Sequence, residues 1–146
     1  MKLVQIPYQQ TKKFTHLVED YLSRSENLHN FYNRYPSLEN FSNQWEEKSK
    51  YQIDRKLLVK VLNDQNQLIA LSSSTRYNID SLLEEDSFTV TTGHQLCLFT
   101  GPLYFVYKII STINLVEALK EKYPKKKFIP VFWMASEDHD FQEVNH

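Results

Sequence analysis

Hydrophobic and polar positions change their pattern about two thirds of the way along the chain. Phe88-Thr89-Val90-Thr91-Thr92 is β-prone, being rich in β-branched residues with an aromatic at its start. Pro102 then suits the first turn of a helix, because its fixed φ and missing N–H cost nothing there. The apolar run that follows predicts a helix from Pro102 to about Tyr123. Leu103, Val106, Tyr107, Ile110, Ile113 and Glu117 trace one side, with Phe105, Ile109, Thr112 and Val116 beside it. Apolar residues cover too much of its circumference for a simple surface helix, so a sheet and a further layer should enclose it. Phe128 to Met134 reads as a second, almost wholly apolar strand, as in a parallel sheet covered on both faces. Together these elements predict a β-α-β unit with a right-handed crossover.

The preceding residues read as a helical lead-in. Thr15 to Leu22 predicts one helix, and Leu28 to Tyr35 a second that stops before Pro36. A third covers Leu38 to about Lys50, with Phe41, Trp45 and Lys48 on one face. Asp54 caps a fourth, whose Leu57, Leu58, Val61 and Leu62 have core spacing. Gln65 to Leu71 is compatible with helix or strand. A last helix carries Tyr77, Ile79, Leu82 and Leu83 and ends at the acidic run Glu84-Glu85-Asp86. The expected organisation is a lead-in over residues 1–86 and an α/β, partial Rossmann-like parallel sheet over residues 87–146. Two strands do not complete a doubly wound sheet, so the chain is expected to be the N-terminal part of a longer protein with an unfinished sheet here.

Composition narrows the picture. The 146 residues are 41% hydrophobic and 14% aromatic, enough to build a core and too apolar for general disorder. Seventeen Lys and Arg against 18 Asp and Glu give a net charge of −1, which argues against a broadly basic nucleic-acid-binding domain. The Lys125-Lys126-Lys127 run reads as a solvated face. One cysteine, Cys97, excludes an internal disulfide and a cysteine-only metal cage. Its setting between Leu96 and Leu98 suggests a buried small side chain, and Trp45 and Trp133 read as core. No secretory signal or membrane span is expected, and a cytoplasmic setting follows from this reading.

Only two glycines occur, where average usage gives about ten. Gly93 and Gly101 both flank the junction between the first strand and the long helix, marking it as a place of special backbone geometry. In open α/β sheets ligands bind beyond the carboxyl ends of the strands. The polar segments Gly93-His94-Gln95, with Thr100-Gly101, and Ser136-Glu137-Asp138-His139-Asp140 both fall there. The first spacing matches neither the GxGxxG fingerprint nor the Walker A loop. Its groups could hold an anion or satisfy the loop's own backbone. In the second, carboxylates and imidazole can bind a divalent cation or move a proton. Asp140 and Glu143 also have capping-box spacing. His139 and His146 lack a clear third ligand, so no structural zinc is expected.

Longer matches bring in a family. Thr92-Gly93-His94-Gln95, Leu98 to Tyr104, Tyr107-Lys108, Pro130 to Asp140 and Glu143 to His146 resemble the bacillithiol biosynthesis cysteine-adding enzymes. The likeness is concentrated in residues 90–146, with Ile6-Pro7 and the Phe-rich lead-in matching in placement. The family usually has glutamine at the position of His94 and a small residue near Cys97, so His94 inherits no catalytic role. The resemblance implies a Rossmann-like core related to class I aminoacyl-tRNA synthetases and a longer protein that dimerises through a coiled coil. It also implies a ligase joining cysteine to glucosaminyl malate in the last step of bacillithiol biosynthesis, with ATP and Mg²⁺. On that reading Gly93, His94, Gln95, Thr100, Gly101 and Glu137 line the substrate or phosphate site. His139 and Asp138 are the catalytic candidates, and Asp138 or Asp140 the candidate Mg²⁺ ligands. The alternatives are another nucleotide-dependent acyl or nucleotidyl transferase and a non-catalytic interaction module. The isolated fragment is expected to be inactive, because its pocket would lie open.

Overall fold

The computed structural model describes residues 4–97, 99 and 101–136, which divide into two compact units, Met1–Lys50 and Tyr51–His146. The first is built from short helices, α1 (Tyr8–Thr11), α2 (His16–Leu22) and α3 (Phe41–Lys48), with 3-10 turns at Glu26–Phe31 and Leu38–Asn40. The helix expected over Leu28 to Tyr35 does not form. A 3-10 turn ends at Phe31, and Tyr32 is already extended at φ −142° and ψ 151°. The tyrosines account for this, since Tyr32 and Tyr35 turn back onto Tyr21 with ring centroids 5.6 and 5.5 Å away. Arg24 lies over the Tyr35 ring at 4.2 Å. Arg34 and Asn33 both donate to the Glu47 carboxylate, at 2.6 and 3.0 Å, and these bonds hold its pKa below the ordinary value.

The second unit contains α4 (Arg55–Gln65), α5 (Ser73–Ser81), β1 (Ser87–Gln95), α6 (Leu103–Lys122) and β2 (Lys127–Ala135). Asp54 caps α4, accepting from the Leu57 backbone at 2.9 Å, and Ser72 caps α5 through Thr75 at 3.1 Å. Between them the ambiguous segment gives only Gln65 to α4 and is neither helix nor strand from Asn66 on, leaving through a turn closed by Asn66 and Ile69.

The strands run parallel with Ser87 opposite Lys127 and Gln95 opposite Ala135, a two-stranded sheet among the described residues. This agrees with the unfinished sheet expected from the sequence. The β-α-β connection is as the hydrophobic pattern indicated, except that Pro102 stands just outside α6, in extended backbone at ψ 155°. Leu119 and Val116 are the most deeply buried side chains, with Phe128 and Ile129 of β2 close behind. Leu103, Tyr107, Ile110 and Ile113 remain exposed, so α6 has its sheet contact and no second layer among the described residues.

On the other side Val59, Ile79, Leu82 and Ile129 form one cluster, with Leu62, Leu71 and Val131 packed against it. Alternation along β2 explains the division, because successive side chains point to opposite faces. The buried face of α4 is thus Val59 and Leu62, and Leu57, Leu58 and Val61 are exposed, contrary to the expected core stripe. Arg-Lys-Leu-Leu-Val-Lys-Val-Leu carries apolar residues on more than one face, and the partners Ile79 and Ile129 select which one docks. A groove of about 410 Å³ runs along consecutive β2 residues Ile129 to Phe132 between α5 and α6.

The N-terminal ends of the strands are fastened by charge. Lys126 pairs with Asp86, and Lys127 with Glu84 at 2.5 Å, which raises the Lys127 pKa. The basic and acidic runs of the sequence therefore meet each other. Arg55 adds a fork to the Leu82 carbonyl and Ser87 Oγ, both at 2.9 Å, and reaches the Ser87 and Glu85 carbonyls. Arg55→Ala should cost about 2 kcal/mol in denaturant unfolding, because it strips charged donors from partly buried acceptors. Arg55→Lys should recover less than half, since one ammonium cannot span the fork. Full recovery by lysine would show that charge alone matters.

Candidate functional site

The carboxyl ends of β1 and β2 lie side by side, with Gln95 paired to Ala135. Gly93, His94 and Gln95 are the last three residues of β1 rather than a loop after it, opposite Trp133, Met134 and Ala135. The strand extends because the ladder with β2 continues across the glycine. A Cβ at Gly93 would lie 2.9 Å from the Trp133 carbonyl oxygen and 3.0 Å from its Cβ, so this close pairing requires glycine.

His94 faces the start of α6. Its Nδ1 is 2.9 Å from the Gln95 carbonyl oxygen and its Nε2 2.9 Å from the Tyr104 hydroxyl. With Nδ1–H donating to the carbonyl, Nε2 accepts from the phenol, so the neutral ring is satisfied at both nitrogens. Its ring also meets Phe105 edge-on at 5.6 Å, and Phe105 meets Phe132 at 5.1 Å. The imidazole is thereby held between strand and helix as a wall of the site.

Cys97 is exposed, not buried, and its thiol lies 3.3 Å from His94 Nδ1 and 3.3 Å from the Gln95 carbonyl. The neighbouring leucine did not signal core; Leu96 is itself exposed. Trp133 is likewise exposed near the end of β2. Gly101 has φ +62°, and a Cβ there would fall 2.7 Å from the Cys97 Cβ, so Gly101 sits directly against the cysteine. Phe99 also has positive φ, at 51°.

Two contributors were quoted for the resemblance but given no role in the site, Tyr104 and Lys108. Lys108 Nζ donates to the Gly93 carbonyl at 3.2 Å and lies 5.5 Å from the Tyr104 ring centroid. The available signal was its isolation, for it is the one charged residue between Leu103 and Val116. Thr100, Glu137, Asp138, His139 and Asp140 lie outside the described residues, as do Glu143 and His146. Ser136 is described and follows β2 directly, its N–H donating to the Met134 carbonyl. Among the described residues no three His, Cys, Asp or Glu side chains form a metal-ligand set, and no helix is long and apolar enough to cross a membrane.

A parallel β-α-β unit whose two strands end side by side is the architecture of a Rossmann-like domain. Comparison with known proteins gives the family. Residues 1–146 match the model described as bacillithiol biosynthesis BshC, N-terminal Rossmann-like domain. A protein of Christiangramia forsetii named "Putative cysteine ligase BshC" is 57% identical over 142 residues, 96% of this chain and 26% of that protein. Proteins of the same name from Flavobacterium johnsoniae and Flavobacterium psychrophilum are 52% and 51% identical, each covering 97% of this chain and 27% of the relative. The chain belongs to the BshC family and spans about a quarter of the length of these curated relatives.

Proposed function

We propose that the protein carrying this domain is an ATP-dependent ligase that joins the carboxyl group of L-cysteine to the amine of glucosaminyl malate. The carrying observation is the family match across residues 1–146, on a chain whose two parallel strands end side by side. A free carboxylate is a poor acyl donor, so amide formation requires its activation. ATP supplies this when a cysteine carboxylate oxygen attacks a phosphorus and expels either pyrophosphate or ADP. The amine then attacks the activated carbonyl, loses its proton, and displaces AMP or phosphate.

In this reading Gly93, Gln95, Thr100 and Gly101 border the phosphate or the activated carboxylate. Gly93 serves through its missing side chain, which lets the strands close without blocking the site. His94, already bonded to Gln95 and Tyr104, positions these elements and is not assigned the proton transfer. Asp138 and His139 are proposed to orient substrate and move the amine proton, with Glu137 beside them. Mg²⁺ would be held by Asp138 or Asp140 and would neutralise phosphate charge. The proposal includes a cytoplasmic homodimer joined through a coiled coil beyond this domain.

The test incubates the full-length protein with cysteine, glucosaminyl malate, ATP and Mg²⁺ and follows thiol and nucleotide products by mass spectrometry. Bacillithiol is the expected product, with AMP or ADP identifying the activation route. ATP turnover only with a different acceptor would replace the ligase by another nucleotide-dependent transferase. A folded protein that binds neither nucleotide nor cysteine would leave an interaction module.

A further inference from the structure

Lys108 is a cation whose partners within the described structure leave its charge unmatched. Lys60, Lys120, Lys126 and Lys127 each pair with a carboxylate. Lys108 instead donates to a backbone carbonyl, that of Gly93, and among the described residues no carboxylate pairs with it. An ammonium has three N–H donors, so two remain after the Gly93 bond. Its position is also informative. The residues around it in sequence, Leu103 to Val116, are otherwise uncharged, yet the amine is brought to the end of β1, where Gly93, His94 and Tyr104 meet. The carbonyl and the Tyr104 ring restrain the long side chain, which lowers the entropy lost when it binds a ligand.

We propose that Lys108 is an anion-binding residue of this site, taking an oxyanion of the substrate, either a nucleotide phosphate or the carboxylate of the amino acid. This deepens the ligase reading and rests on it for the choice of ligands. The two sources share one chemistry, a negatively charged oxygen accepting from the spare ammonium protons.

The experiment compares full-length wild-type protein with Lys108→Gln and Lys108→Arg, titrating each calorimetrically with ATP and with cysteine and measuring KM and kcat. Lys108→Gln should weaken one of the two ligands about tenfold, the scale of one charge-assisted hydrogen bond. Lys108→Arg should stay within about threefold of wild type if the amine acts as a cation rather than as a shaped fork. Loss confined to ATP assigns the phosphate, and loss confined to cysteine assigns the carboxylate. The proposal fails if both affinities and both KM values are unchanged in Lys108→Gln. It also fails if affinity falls only together with the thermal midpoint, which would make the Gly93 bond purely structural. Lys108-dependent binding in a protein that forms no cysteine amide would overturn the ligase reading and keep the anion site. Ligation with unaltered KM in Lys108→Gln would do the reverse.

Discussion

Gly93→Ala is expected to destabilise the β1–α6–β2 unit by about 3 kcal/mol, at the upper end of overpacking costs. The new methyl would meet the Trp133 carbonyl oxygen at 2.9 Å and the Trp133 Cβ at 3.0 Å. Neither atom is the free end of a flexible side chain. Moving the carbonyl disturbs the ladder in which Gly93 stands opposite Trp133, and moving the Cβ shifts the same backbone. Relief therefore requires the carboxyl ends of the strands to part. Urea unfolding should report the loss and, on the proposed function, ligase turnover of the full-length protein should fall even at temperatures where the variant remains folded. Thr91→Ala is the matched control, an exposed position on the same strand, and should change stability by less than about 1 kcal/mol. A Gly93→Ala protein as stable as that control would show that the strand ends can separate freely.

Gly101→Ala should cost a similar amount, about 3 kcal/mol, for two separable reasons. At φ +62° an L-residue is strained whatever surrounds it, and the added Cβ would also sit 2.7 Å from the Cys97 Cβ and 2.9 Å from its sulfur. Cys97→Ala removes only the sulfur contact and should rescue little. Cys97→Gly removes both, so a double-mutant cycle with Gly101→Ala should give a coupling of at least about 1 kcal/mol, leaving the backbone strain as the remainder. Zero coupling would mean that the turn opens away from the cysteine and that collision contributes nothing.

These two glycines were visible in the sequence by their scarcity, but their reasons were not. Gly93 was expected at the junction after the first strand; it lies within the strand, because the closeness of Trp133 is a property of the second strand and not of the local residues. Local chemistry sufficed where one residue decides the matter, as with the cap Asp54. The long apolar helix and the strand after Pro124 were equally plain, since no other use of so many consecutive apolar residues was available. Where several faces or conformations compete, tertiary partners choose. Val59 rather than Leu58 turns inward on α4, and Tyr32 becomes extended to reach Tyr21. Cys97 looked buried because its neighbours are apolar, whereas Cys97 and Leu96 are both exposed.

The site shows the same division. The convergence of strand ends follows from parallel topology and was legible. Tyr104 and Lys108 were not, because they belong to a helix whose composition reads as core. The single lysine among fourteen residues from Leu103 to Val116 was read as an interruption of the apolar run, and nothing local said which end of the sheet its amine would reach.

The ion pairs Lys126–Asp86 and Lys127–Glu84, with the Arg55 fork, all lie at the amino ends of the two strands. The sheet is thus riveted at the end remote from its polar segments. In evolutionary terms this lets one margin of the domain conserve its architecture while the opposite margin changes its chemistry. Exchanges at position 94 or 97 would leave these fastenings untouched.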